Sequence, residues 1–183
     1  MKKIFLSVLL FGSLYAADND LYNNSIILTG GYAINPAQSQ LDNNFQWGLK
    51  YNMNRSTVDG SLSVDAIQLA INYSPNNTFQ DSSKGIKNGN TALWRVGINA
   101  LWYIENDSDY TPYIIAGAGV QAFSDTSAWD NNNPLFATAG AGVEYQLRGD
   151  VSVGVELKDI YAGTKNNYVT GEIGIKYSFG QSY

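Results

Sequence analysis
Apolar and polar side chains alternate along this chain with a period of two, and the pattern recurs in eight segments. That period belongs to a strand with one face in an apolar medium and the other in a polar one. Near the C-terminus Val169, Gly171, Ile173, Ile175, Tyr177 and Phe179 share one face, against Thr170, Glu172, Gly174, Lys176 and Ser178. The alternation repeats over 26–34, 45–53, 94–104, 137–147 and 151–158. Two segments are less regular. In 112–123 the even positions are apolar, while Ile115 sits among Gly117, Gly119 and Gln121 on the odd face. In 57–73 the phase slips: Leu62 and Val64 are even, but Ile67, Leu69, Ile71 and Tyr73 are odd. A bulge near Asp65 and Ala66, or a turn reaching about Leu62, accounts for the slip.

Eight strands of about ten residues each have the length that a tilted strand needs to cross a bilayer. Their connections alternate in character. Segments 35–43, 74–91, 124–134 and 159–167 are long and polar; 105–110 and 148–150 are short, with 54–62 between these extremes. Arg148-Gly149-Asp150 is a minimal hairpin turn. Long loops at one end and short turns at the other predict an all-β fold, an eight-stranded antiparallel up-and-down transmembrane β-barrel. Aromatic residues favour the membrane orientation, with the apolar face outward. Tyr32, Phe45, Trp47, Tyr73, Trp94, Phe123, Phe136 and Tyr168 lie near the loop ends of their strands. Tyr51, Trp102, Tyr103, Tyr110, Tyr113, Tyr145, Tyr177 and Phe179 lie near the turn ends. The expectation is two belts at the two bilayer interfaces, flanking an aliphatic band.

The N-terminus reads as an export signal. Met1-Lys2-Lys3 is basic, 4–11 is mostly apolar, and Ala16 precedes a polar segment. The apolar stretch is shorter than the roughly 20 residues of a membrane-spanning helix. A signal peptide over 1–16 and a barrel domain over 17–183, with strands in about 22–180, are therefore expected. The destination that follows is the bacterial outer membrane. The sequence has no cysteine and no histidine, which removes disulfides, thiol catalysis, the Ser-His-Asp triad and the usual zinc cages. A net charge of −5 argues against a nucleic-acid partner. No enzyme activity, cofactor or metal is expected.

The last strand, Glu172-Ile173-Gly174-Ile175-Lys176-Tyr177-Ser178-Phe179, resembles the C-terminal signal read by the barrel-assembly machinery. Glu172, Gly174, Tyr177 and Phe179 occupy its positions, and the chain continues through Gly180-Gln181-Ser182-Tyr183. Thr111–Gly119 and Asn99–Tyr103 are similar to family segments more weakly. Together with the strand pattern, the chain resembles the OmpA-like transmembrane-domain family of small outer-membrane barrels. The resemblance implies the barrel fold and assembly by that machinery, without the peptidoglycan-binding domain often appended in the family.

The polar faces carry Lys50, Arg95, Glu144, Glu156, Lys158, Glu172 and Lys176. An eight-stranded barrel is just wide enough for side chains to fill, so these charges should pair inside it. By depth, Arg95 is expected to meet Glu172 toward the loop end, Glu144 to meet Lys176 toward the turn end, and Lys50 and Glu156 to lie midway. Glu105, Asp107 and Asp109, and also Asp125 and Asp130, are acidic but fall in connections where charge is solvated, with no calcium-loop spacing. Trp129 in a polar loop is a candidate external contact. The expected role is structural or surface-interacting, through extracellular loops on a plugged monomeric barrel. Its partners would be outer-membrane lipid, the assembly machinery and an unknown extracellular molecule. A narrow pore for small solutes and a soluble small-ligand-binding barrel are the alternatives.

Overall fold
The structure is a computed structural model and describes residues 24–34, 43–54, 64–81, 86–104, 106–124, 134–163 and 167–180. The expected signal peptide over 1–16, together with Glu105, Asp125, Trp129 and Asp130, lies outside the described residues. Eight strands run β1 (Asn24–Ile34), β2 (Asn44–Asn54), β3 (Ala66–Asp81), β4 (Ile86–Tyr103), β5 (Tyr110–Phe123), β6 (Leu135–Arg148), β7 (Val151–Tyr161) and β8 (Asn167–Phe179). Each pairs antiparallel with its sequence neighbour, and β8 returns to β1, so the sheet is a closed barrel. Closure leaves no wall strand with an unpaired edge, the condition for backbone to survive in lipid.

Stepping across the ladders from Ser25 leads through Asn52, Gln68, Asn99, Gly117, Thr138 and Ile160 to Tyr168. Across the closing seam, however, Ser25 faces Ser178. The difference between 168 and 178 is a stagger of ten residues over eight strands, which tilts the strands by roughly 35–45°.

The two faces of the wall have opposite chemistry. Leu28 is 66% exposed, Ile98 63% and Ile173 66%, whereas Lys50 and Arg95 are 2% exposed. Polar and charged groups line the lumen and aliphatic ones line the outside, the reverse of what a soluble barrel for apolar ligands requires.

Three features depart from the sequence expectations. The slip in 57–73 marks where a strand begins: β3 starts at Ala66 and pairs in unbroken register with β2 up to Tyr73. The segment 74–91, expected as a loop, continues as β3–β4 ladder out to the pair Asp81–Ile86. The first of its two register shifts lies between Ser74 and Asn77, where Pro75 cannot donate a ladder hydrogen bond. Asn77 replaces the missing bond, donating from Nδ2 to the carbonyls of Ser74 at 2.8 Å and Thr91 at 3.2 Å. Third, five of the aromatics expected in the bilayer belts turn inward. Phe123, Phe136, Tyr168 and Tyr113 are buried, and Tyr103 packs against the same interior cluster as Tyr113. These five share strand parity with lumen residues, and parity sets the face. Tyr32, Phe45, Trp47, Trp94, Tyr110 and Tyr177 are exposed on the outer wall as expected.

At the β6–β7 turn, Gly149 adopts a φ of 53°. Only a residue without Cβ takes that conformation freely, which is what the tight Arg148-Gly149-Asp150 reversal requires.

Candidate functional site
The lumen is filled at three levels. Midway, Lys50 from β2, Glu156 and Lys158 from β7, and Glu172 from β8 form a square of alternating charge. Lys50 Nζ lies 2.7 Å from Glu156 Oε1 and 2.6 Å from Glu172 Oε2. Lys158 Nζ lies 2.6 Å from Glu156 and 3.3 Å from Glu172. Each cation touches both anions, so none of the four is left as an isolated buried charge, the arrangement that would cost most. Tyr113 donates its hydroxyl to Glu156 Oε2 at 2.8 Å, and Gln46 donates to Glu172 Oε1 at 2.6 Å.

Toward the turn end, Lys176 Nζ donates to Glu144 Oε2 at 2.5 Å and sits 5.6 Å above the Tyr103 ring. The expected direct meeting of Arg95 with Glu172 is not what forms. Arg95 Nη2 donates to Gln46 Oε1, and Gln46 in turn holds Glu172. The rest of the guanidinium packs over Tyr168, 4.9 Å from the ring centroid. A ladder of amides, Asn99 to Gln68 to Asn52, runs alongside with bonds of 2.9 and 3.0 Å.

Apolar plugs close both ends. At the loop end Leu93, Phe123, Phe136, Ile160, Ala162 and Tyr168 form one cluster, and Tyr168 donates its hydroxyl to Gln121 at 2.7 Å. At the turn end Ala66, Leu101, Tyr113 and Ile115 form another, with Tyr103 against it. Glycines on β5 and β6 make the space. A Cβ on Gly119 would lie 2.6 Å from Phe136 Cζ, and one on Gly142 would lie 2.8 Å from Tyr113 Cε1. A cavity of about 20 Å³ between the charge square and the Glu144–Lys176 pair is bounded by Ile27, Thr29, Tyr113 and Gly174. It has room for about one water, far from a continuous path.

All seven lumen charges expected from the sequence therefore face inward, with Gln46 and Tyr113 bonded to Glu172 and Glu156 and the ring of Tyr168 against Arg95. Sequence reasoning missed those three residues and the glycine sockets. The available signal was parity: Tyr113 shares its face with Ile115, Gly117 and Gln121, and Tyr168 with Thr170 and Glu172. Of the C-terminal strand positions, Glu172 and Gly174 face the lumen while Tyr177 is 53% exposed and Phe179 half-buried on the outer side. Asp107 and Asp109 are exposed in the β4–β5 turn. No group of acidic residues able to hold a metal ion occurs among the described residues. Glu156 and Glu172 are each held by two lysines and buried from bulk solvent.

No protein-family model matches the sequence, and no curated protein matches it. Solved structures do match. Neisserial surface protein A aligns with a TM-score of 0.57 at 17% identity, over 86% of this chain and 97% of that one. The N-terminal β-barrel domain of Pseudomonas aeruginosa OprF aligns at 0.51 and 17%, over 86% and 98%. The outer membrane enzyme PagL aligns more loosely, at 0.46 and 19%, over 85% and 99%. At these identities the likeness is one of fold: a closed eight-stranded antiparallel barrel of the kind found in outer-membrane proteins.

Proposed function
We propose that this chain is a non-enzymatic, monomeric outer-membrane barrel of the OmpA-like kind, exported by the 1–16 segment, whose work is done by the loops it holds outside the cell. The single observation that carries the reading is the filled lumen: an apolar plug, a charge square and a second apolar plug stacked along one axis. Side chains packed at three levels support a scaffold and leave no room for solute flow. The aliphatic outer wall supports the membrane location, because a water-facing surface so rich in Leu, Ile and Val would aggregate. The β3–β4 ladder, which continues past the last β2–β3 pair, gives the loop end its most extended support. Trp129 in the β5–β6 connection is the contact proposed for an extracellular partner.

Conductance tests this against the narrow-pore reading. The purified barrel in planar bilayers should give no discrete current steps; stable unitary steps would replace the scaffold reading with the pore. Membrane folding itself is checked by gel mobility, where the unheated chain should resist SDS and shift on boiling. We further propose that Glu172, Gly174, Tyr177 and Phe179 form the signal read by the assembly machinery. Replacing Tyr177 and Phe179 with Ala should deplete the protein from outer-membrane fractions, and unchanged levels would remove that role.

A further inference from the structure
We propose that Asp159 and the wall beside it bind the headgroup of a lipid carrying a primary ammonium. The site rests on the membrane-spanning reading above. Asp159 is exposed on the outer face of β7, in parity with Val155, Leu157 and Tyr161. Among the described outward positions of the eight strands it is the one charged side chain. Its partners across the two ladders are Ala139 and Val169, neither of which can neutralise it. Allowing for the stagger, it lies at about the level of Tyr32 and Trp47, which is headgroup depth.

A lipid amine is a cation delivered to that depth by its own acyl chains. The surroundings suit one. Ala137 and Ala139 on β6 are small where β2 and β4 present Trp47 and Trp94 at the same end of the barrel, so no indole from β6 stands beside the carboxylate. Tyr161, 51% exposed and next along the same face, offers a ring for the ammonium to lie against. A second copy of the barrel fits poorly, because its described outward positions bring no cation to the carboxylate. Anionic headgroups are repelled.

The test uses the full chain refolded into vesicles of equal phosphatidylethanolamine and phosphatidylglycerol. Lipid that stays with the barrel on release into mild detergent is counted by native mass spectrometry. The wild-type barrel should retain phosphatidylethanolamine over phosphatidylglycerol by about fivefold, the scale of one interfacial ion pair. Asp159→Asn and Asp159→Ser should bring the ratio near one, and Asp159→Glu should keep it. Equal retention by the wild type overturns the site, as does an undiminished ratio in the neutral variants or release of paired barrels without lipid. Gel mobility separates the two levels of failure. A wild-type chain without a heat shift removes the membrane reading and this site together, while a shifting chain with equal lipid retention removes this site alone.

Discussion
The two halves of the barrel wall use aromatic residues in opposite ways. On β1–β4 the loop-end aromatics Tyr32, Phe45, Trp47 and Trp94 face outward, and the lumen side carries Gln46, Lys50, Gln68, Arg95 and Asn99. On β5, β6 and β8 the loop-end aromatics Phe123, Phe136 and Tyr168 face inward, with Gly97 and Gly119 making room for Phe136. At the loop end one half sends long polar chains into the lumen and the other sends rings. Each half is incomplete alone, since large side chains on both walls would overfill an eight-stranded barrel and glycine on both would leave it hollow. The same residue type thus serves as bilayer anchor or as stopper according to a single bit of information, whether its position is odd or even.

Five substitutions, arranged as three tests, sharpen that contrast. The largest effect is expected at Glu156, where the halves meet: it accepts from Lys50 on the polar wall and from Tyr113 beside the glycine wall. Glu156→Ala leaves two buried lysines sharing Glu172 alone and should cost roughly 3–5 kcal/mol, read as a lower urea midpoint for unfolding from lipid. Next, Phe136→Ala opens a cavity in the loop-end plug and should cost about 3 kcal/mol. Trp94→Ala, at a comparable depth but on the outer wall, loses one ring contact with Tyr73 at 4.4 Å and should cost about 1 kcal/mol. Equal costs for the pair would mean that parity does not separate stopper from anchor. The smallest effect sets Gly142→Ala against Gly30→Ala. The first drives a methyl into Tyr113 and should cost about 1–3 kcal/mol. The second, outward and 3.5 Å from Phe45 Cζ, should fall within about 0.5 kcal/mol.

The fold was legible in the sequence because the information that specifies a barrel is periodic. Alternation over 137–147 or 151–158 states which face is wet, and the Gly149 turn fixes a hairpin. The lumen charges were legible for the same reason: Lys50, Arg95 and Glu172 sit on polar faces. What escaped was set by neighbours that no single strand reveals. Phe136 reads as a belt residue until Gly97 and Gly119, from β4 and β5, are seen to leave a socket for it. Gln46 reads as one more polar side chain until the stagger places it between Arg95 and Glu172. Ser74-Pro75-Asn76-Asn77 has turn composition, yet Asn77 stitches it into a bulge, a substitution of side chain for backbone that composition does not announce.

The charge square has a consequence in the order of events. Lys50 reaches from β2, one strand beyond the seam on the β1 side, while Glu172 and Glu156 stand on β8 and β7 on the other. An open sheet holds these partners at opposite margins, each still hydrated. They can meet only when the first and last strands do, so the final hydrogen bonds and the final loss of water from the charges belong to one step. The ring cannot shut halfway: before that step the interior is wet and the chain is a ribbon, and after it the ions lock the two ends of the sequence together.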